Sequence, residues 1–349
     1  MEVITSIVRL SLALLLIKLF NFNIEGILLA FFIATLIPTL IMFKELHLYK
    51  FLSLSYNSWR WFKDLIKYGY PLSLALISMW LLSLANRYLI GIFRGSEEVG
   101  LYSVSSSLSE KPLTMIFSVL MLAAYPIIIS VWERNGKEET EKLLYQLSRY
   151  YFLICLPLVI IISILSKEII LILSTPKYEA GHIIIPFIAS GIFFLGLSQY
   201  VAKGFELKKK TYITAIFMFS AGLINIILSI ILIPIIGLIG AGLSSMVSYF
   251  SLFLLFKWKV KSYLKWSVSK KSVFIISIAT TLMGITLIFL KWFLDFNLLN
   301  LILIIFIGIT IYFSSLFIFG EIKDSESKAI KSFLTNFFNL KKIADSKDI

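Results

Sequence analysis

Leu101-Tyr-Ser103-Val-Ser-Ser106-Ser107-Leu-Ser-Glu110-Lys111-Pro112 opens an apolar run that continues to about Val131, long enough to cross a bilayer as a helix. On a helix, Ser103, Ser106, Ser107, Glu110 and Lys111 recur every three or four residues and share one face. The opposite face carries Val104, Leu108, Met115 and Ile116, which suit lipid or packed neighbours. A charged pair inside a spanning helix is expensive and normally faces a bundle interior or a wet cavity. Pro112 removes a backbone hydrogen bond at the same depth. Two readings follow: a structural ion pair near the outer end of the helix, or a cavity wall that handles charged cargo. The second is the working expectation.

The rest of the chain supports a membrane setting. Of 349 residues, 59% are hydrophobic and mean hydropathy is +0.92; soluble domains are about half apolar. Runs of about 20 apolar residues recur, so the expected fold is all-α and polytopic, with about ten transmembrane helices. These are Val3–Phe20, Ile24–Phe43, Tyr70–Phe93, the stretch from Leu101 to Val131, Tyr150–Leu173, His182–Ala202, Thr211–Pro234, Gly237–Phe256, Ser272–Trp292 and Leu298–Phe319. Arg9 and Lys18 interrupt the first run, and no basic segment precedes it, so it reads as a spanning helix rather than a signal peptide.

The net charge of +13 could suggest a nucleic-acid partner. Its distribution argues against one. One set of alternating loops and the tail hold 25 of the lysines and arginines; the other set holds only Arg94, Lys167, Lys177 and Lys291. That bias places both termini in the cytoplasm and the basic loops against anionic lipid. Cys155 sits in an apolar run and reads as a small buried hydrophobe. The two histidines, His47 and His182, form no metal-ligand cluster, and neither a catalytic triad nor a phosphate loop is visible. The chain therefore reads as a non-enzyme without cofactor. Ile24-Glu-Gly26-Ile and Leu238-Ile-Gly240-Ala form a faint internal repeat, each opening a helix after a tight turn.

Arg87 lies about six residues inside its helix, where it must snorkel, pair or line water. A guanidinium there can fork onto a phosphate. Asn86 and Asn225 are amides in apolar runs, and such residues serve more often as interhelical hydrogen-bond partners than as ligand contacts.

Several motifs succeed one another: Tyr68-Gly-Tyr-Pro71, Asn86-Arg87, Glu98-Val-Gly-Leu-Tyr102, Tyr125-Pro126, a charged linker through Glu139, Pro176-Lys-Tyr-Glu-Ala180, Asn225 and Gly237-Leu-Ile-Gly-Ala-Gly242. In this order the chain resembles the polysaccharide-export branch of the MOP superfamily. These are the flippases of O-antigen, lipopolysaccharide and capsule repeat units, akin to the lipid II flippase and more distantly to the MATE drug exporters. The resemblance implies two six-helix lobes around a central cavity, and a chain that starts about four helices late. Residues 1–43 are then the last two helices of a partial N-terminal lobe and 44–69 a cytoplasmic linker. Residues 70–256 form the complete lobe, 257–319 a peripheral helix pair and 320–349 a charged tail. A missing N-terminal half or a second copy would complete the transporter.

In the lipid II flippase a glutamate stands two residues before a proline, with an arginine three residues before the glutamate. Here Glu110 and Pro112 match, Ser107 takes the arginine's place, and Lys111 supplies the cation. The resemblance implies alternating-access export of a polyprenyl-diphosphate-linked glycan across a bacterial plasma membrane. The expected cavity residues are Arg87, Glu110, Lys111, Ser103, Ser107, Asn86 and Asn225. The alternatives are a MATE-like drug or ion antiporter and a non-transporting truncated remnant. A polytopic glycan polymerase or acyltransferase would need a large outer loop or a buried histidine–acid pair.

Overall fold

The computed structural model describes residues 2–20, 22, 24–45, 59–294, 297–322 and 326. Its elements are α1 (Glu2–Phe20), α2 (Ile24–Glu45), α3 (Trp59–Arg94), α4 (Ser96–Ile164), α5 (Ser166–Leu173), a 3₁₀ segment (Pro176–Ile184), α6 (Ile185–Leu207), α7 (Thr211–Ile236), α8 (Leu238–Val260), α9 (Lys270–Phe293) and α10 (Leu298–Ile318). Seven helical segments among the described residues are long and apolar enough to cross a membrane. Of the ten expected spans, one falls within α4 and the next runs from α4 into α5. Two more correspond to α1 and α3. The chain is a multi-pass, all-α membrane protein.

Two expected loops are helical instead. The stretch between Val131 and Tyr150 belongs to α4, which turns at Gly136, where φ is 80°. Glycine alone takes that conformation without strain. The second half of the linker, including Trp59, is the start of α3, whose 36 residues make it about 54 Å long. Such a helix outruns the hydrocarbon core of about 30 Å, so apolar run length marks the membrane rather than the helix ends.

The chain divides into two compact units, Met1–Lys67 and Tyr68–Ile349. In the first, α1 packs on α2. The Arg9 guanidinium lies 4.4 Å from the centre of the Phe31 ring, a cation–π contact that helps an arginine in an apolar wall.

In the second unit α6 is the axis. Its buried positions run almost all round the helix, from Ile185 to Phe205. It packs chiefly against α4 and α8, while α7 pairs with α8. The α9–α10 hairpin packs on α4 through a separate core containing Leu165, Ile276, Ala279, Met283 and Leu287. Cys155 is buried in the main core, as its apolar setting predicted. Arg94, at the end of α3, donates to the carbonyls of Ile233 (3.3 Å) and Pro234 (3.4 Å) and so caps the end of α7.

The two repeat glycines hold matching positions. Gly26 and Gly240 are each the third residue of the second helix in a hairpin. A Cβ on Gly240 would stand 2.5 Å from the backbone of Leu232. Backbone cannot yield as a side chain can, so α7 and α8 would have to part. Gly240→Ala is expected to destabilise the chain by about 1–3 kcal/mol, the range for overpacking. Unfolding in mixed micelles measures it, and a wild-type midpoint would disprove the close approach.

Candidate functional site

The chemistry gathers where α3 and α4 meet. These helices join at Gly95, whose φ of 89° lets the chain reverse. Arg87 lies two turns before the end of α3, about 10 Å along the axis. It is half-buried. One guanidinium nitrogen, Nη2, donates to Ser106 Oγ at 3.3 Å on α4. Its Nε is buried and has no partner among the described residues. Glu110 follows one turn after Ser106 and is half-buried too. Arg87 and Lys111 are both near enough to act on its charge. Consecutive helical residues point about 100° apart, so Glu110 and Lys111 leave α4 in different directions.

The buried face of α4 lies beside the polar face expected to line a cavity. It consists of Tyr102, Ser105, Ser106, Ser109 and Leu113, rotated by about one residue, or 100°, from the expected face. Only Ser106 is common to both. Ser103 and Ser107 are half-buried, and Lys111 is exposed. The buried serines turn their hydroxyls back on their own helix: Ser105 donates to the Leu101 carbonyl (2.8 Å) and Ser109 to that of Ser105 (2.7 Å). Such back-bonding satisfies a hydroxyl without any partner helix. The edge Ser103–Ser107–Glu110–Lys111 thus borders open surface, with the Arg87–Ser106 contact behind it.

Asn86 is fully buried and committed to protein. Its amide nitrogen donates to Ser245 Oγ (2.8 Å), the Tyr102 hydroxyl (3.2 Å) and the Ala241 carbonyl (3.3 Å). Its oxygen accepts from Ser229 Oγ at 2.6 Å. The residue ties α3, α4, α7 and α8 together and has no free N–H to offer a ligand; the expected cavity contact is replaced by an interhelical one. Asn225 is also fully buried, and neither of its amide atoms has a partner among the described residues. It precedes Ser229 by one turn on the same face of α7. Sequence reasoning missed Tyr102, Ser229 and Ser245. The signal available was the small polar stripe Ser244, Ser245, Ser248 along α8.

Asn86→Leu would strand four polar partners in a dry setting. Interhelical hydrogen bonds in membranes are worth about 0.6–2 kcal/mol each, so the loss is expected to be a few kcal/mol in all. It should appear as a lowered unfolding midpoint. Lost transport with wild-type stability would instead make Asn86 a cargo contact.

No group of three or more metal-ligating side chains occurs among the described residues. What the site offers is a guanidinium with bonding capacity to spare, a carboxylate nearby, and hydroxyls on the neighbouring helix. That is equipment for holding an anion reversibly.

The fold is that of a polytopic, all-α membrane protein. The chain superposes on the lipid II flippase MurJ in its inward closed conformation with a TM-score of 0.73, over 91% of this chain and 67% of that one, at 18% identity. It belongs to the polysaccharide biosynthesis protein family, whose profile matches residues 1–183. An uncharacterized membrane protein of Methanocaldococcus jannaschii is 24% identical over 281 residues, which cover 77% of this chain and 54% of that protein. The chain thus spans about half the length of the curated relative it matches.

Proposed function

We propose that this chain is a flippase, or the greater part of one, for lipid-linked oligosaccharide repeat units of the O-antigen or capsule type. The lipid tail stays in the bilayer. The sugar–diphosphate head is drawn to Arg87 and carried from the inner to the outer leaflet by alternating access. Arg87 carries this reading: in α3 it makes one long bond to Ser106 and keeps a buried Nε unpartnered among the described residues. A diphosphate offers the planar, bidentate acceptor that a guanidinium fits. Glu110 tempers the site, so that the head can leave as well as enter. Membership of a polysaccharide biosynthesis family supports a glycan cargo.

In this reading both termini are cytoplasmic and the membrane is the plasma membrane, as the lysine and arginine distribution supports. The 1–43, 44–69, 70–256, 257–319 and 320–349 division fits a partial lobe, a linker, a complete lobe, a helix pair and a tail. The division of the chain between Lys67 and Tyr68 supports the second boundary.

Complementation tests the proposal. The chain, expressed in a flippase-deficient strain making the cognate glycan, is expected to restore surface polysaccharide, alone or with four upstream helices supplied. Well-inserted chain that restores none in either form, or that exports cationic dyes instead, rejects it.

A further inference from the structure

Along one flank of the second unit, α4, α6, α8 and α9 leave a groove of about 760 Å³, floored by aromatic rings that include Phe152, Phe193, Phe253 and Trp266. A second groove of about 380 Å³ continues it between α4 and α9. The two share Leu156 and Ser277, and the second runs on to Gly284 and Ile288. From Lys270 to Ile288 the α9 wall is about 27 Å long, close to the hydrocarbon thickness of about 30 Å.

The mouth is chemically unlike the rest. Lys257, from the last turn of α8, and Lys270, from the first turn of α9, both line it. Both are exposed, and neither is ion-paired among the described residues. Lys270 and Lys271 stand in the first turn of α9, which has no acidic residue. A helix N-terminus is already positive, so cations there are unfavourable until an anion joins them. An apolar slot of membrane length with unpaired cations at one end is the complement of a lipid with a negative headgroup.

We infer that this groove holds an anionic glycerophospholipid, its phosphate on Lys257 and Lys270 and one acyl chain lying between α4 and α9. The site shares no residue with the Arg87 region, so it stands or falls independently of the transport reading.

The test uses the full chain in phosphatidylcholine nanodiscs doped with phosphatidylglycerol carrying a photoreactive acyl chain. Labelled peptides are mapped by mass spectrometry. Labelling is expected within residues 152–164 and 273–288. It should fall roughly 10- to 30-fold in Lys257→Gln/Lys270→Gln, since each lysine attracts an anionic lipid surface independently. Ser277→Trp, which fills the strip and keeps both lysines, should move the label out of 273–288. Equal labelling by photoreactive phosphatidylcholine, or labelling indifferent to the lysine pair, overturns the inference. So does displacement of the phosphatidylglycerol by an equimolar polyprenyl phosphate, which would make the occupant a carrier lipid. Unchanged elution on size exclusion shows that the variants remain folded.

Discussion

Arg87→Ala is expected to reduce glycan export by about 10- to 100-fold while the chain still accumulates in the membrane. The magnitude follows from losing a charge-assisted bond to the cargo, worth about 1.5–3 kcal/mol. The structure also supplies a competing explanation that the experiment must remove. Arg87 is a cationic neighbour of Glu110, so alanine removes positive charge from beside a half-buried carboxylate. If charge balance were the whole role of Arg87, the double variant Arg87→Ala/Glu110→Gln would export normally. If Arg87 holds the diphosphate, the double variant regains accumulation but not export. Arg87→Lys keeps the charge without the fork and is expected to fall between. Surface polysaccharide divided by membrane-inserted protein is the quantity to measure. Full export by the double variant would end the role assigned to Arg87.

Arg149→Ala is expected to produce the largest loss of stability, about 3–5 kcal/mol, as when one partner leaves a buried ion pair. Arg149 is 5% exposed. Its Nε donates to Glu321 Oε1 at 2.5 Å and its Nη1 to Glu326 Oε1 at 2.6 Å. Its Nη2 donates to the Glu321 carbonyl, and the Tyr150 hydroxyl bonds Glu326 at 2.9 Å. The guanidinium thereby fastens the second half of α4 to the segment that follows α10. Removing it leaves the Glu321 carboxylate, itself 6% exposed, without its cation. Unfolding in mixed micelles should show the loss. Arg149→Met/Glu321→Gln should recover much of it, because an apolar or neutral replacement of both partners costs far less than one orphaned charge. Equal midpoints for the single and double variants would mean that the bonds contribute no net stability.

The Arg149 contact also shows where sequence reading stops. By sequence, Arg149 is one of the basic residues that mark a cytoplasmic loop, and residues 320–349 read as a charged tail. In the structure it is internal, and its partner lies 172 residues away. Most of the tail lies outside the described residues, but Glu321 and Glu326 are held. Arg87 could be singled out from its depth in an apolar run, and Glu110 from its place before Pro112. That Arg87 bonds Ser106 could not, because helix contacts depend on how α3 turns against α4.

The amino-acid sequence by itself determined where the chain is helical within the membrane. The expected starts at Ile24, Thr211 and Leu298 coincide with those of α2, α7 and α10. The reason is that lipid offers no hydrogen bonds, so each span must be a self-satisfied apolar helix, a local property written in consecutive residues. Only the tertiary structure decided which face of α4 is buried, what Asn86 binds and that Arg149 is an internal clamp. Serines can satisfy their hydroxyls on their own backbone, and apolar residues suit lipid and core alike, so polarity along α4 does not encode its rotation. That rotation is set by how α4 packs against α6 and the rest of the second unit.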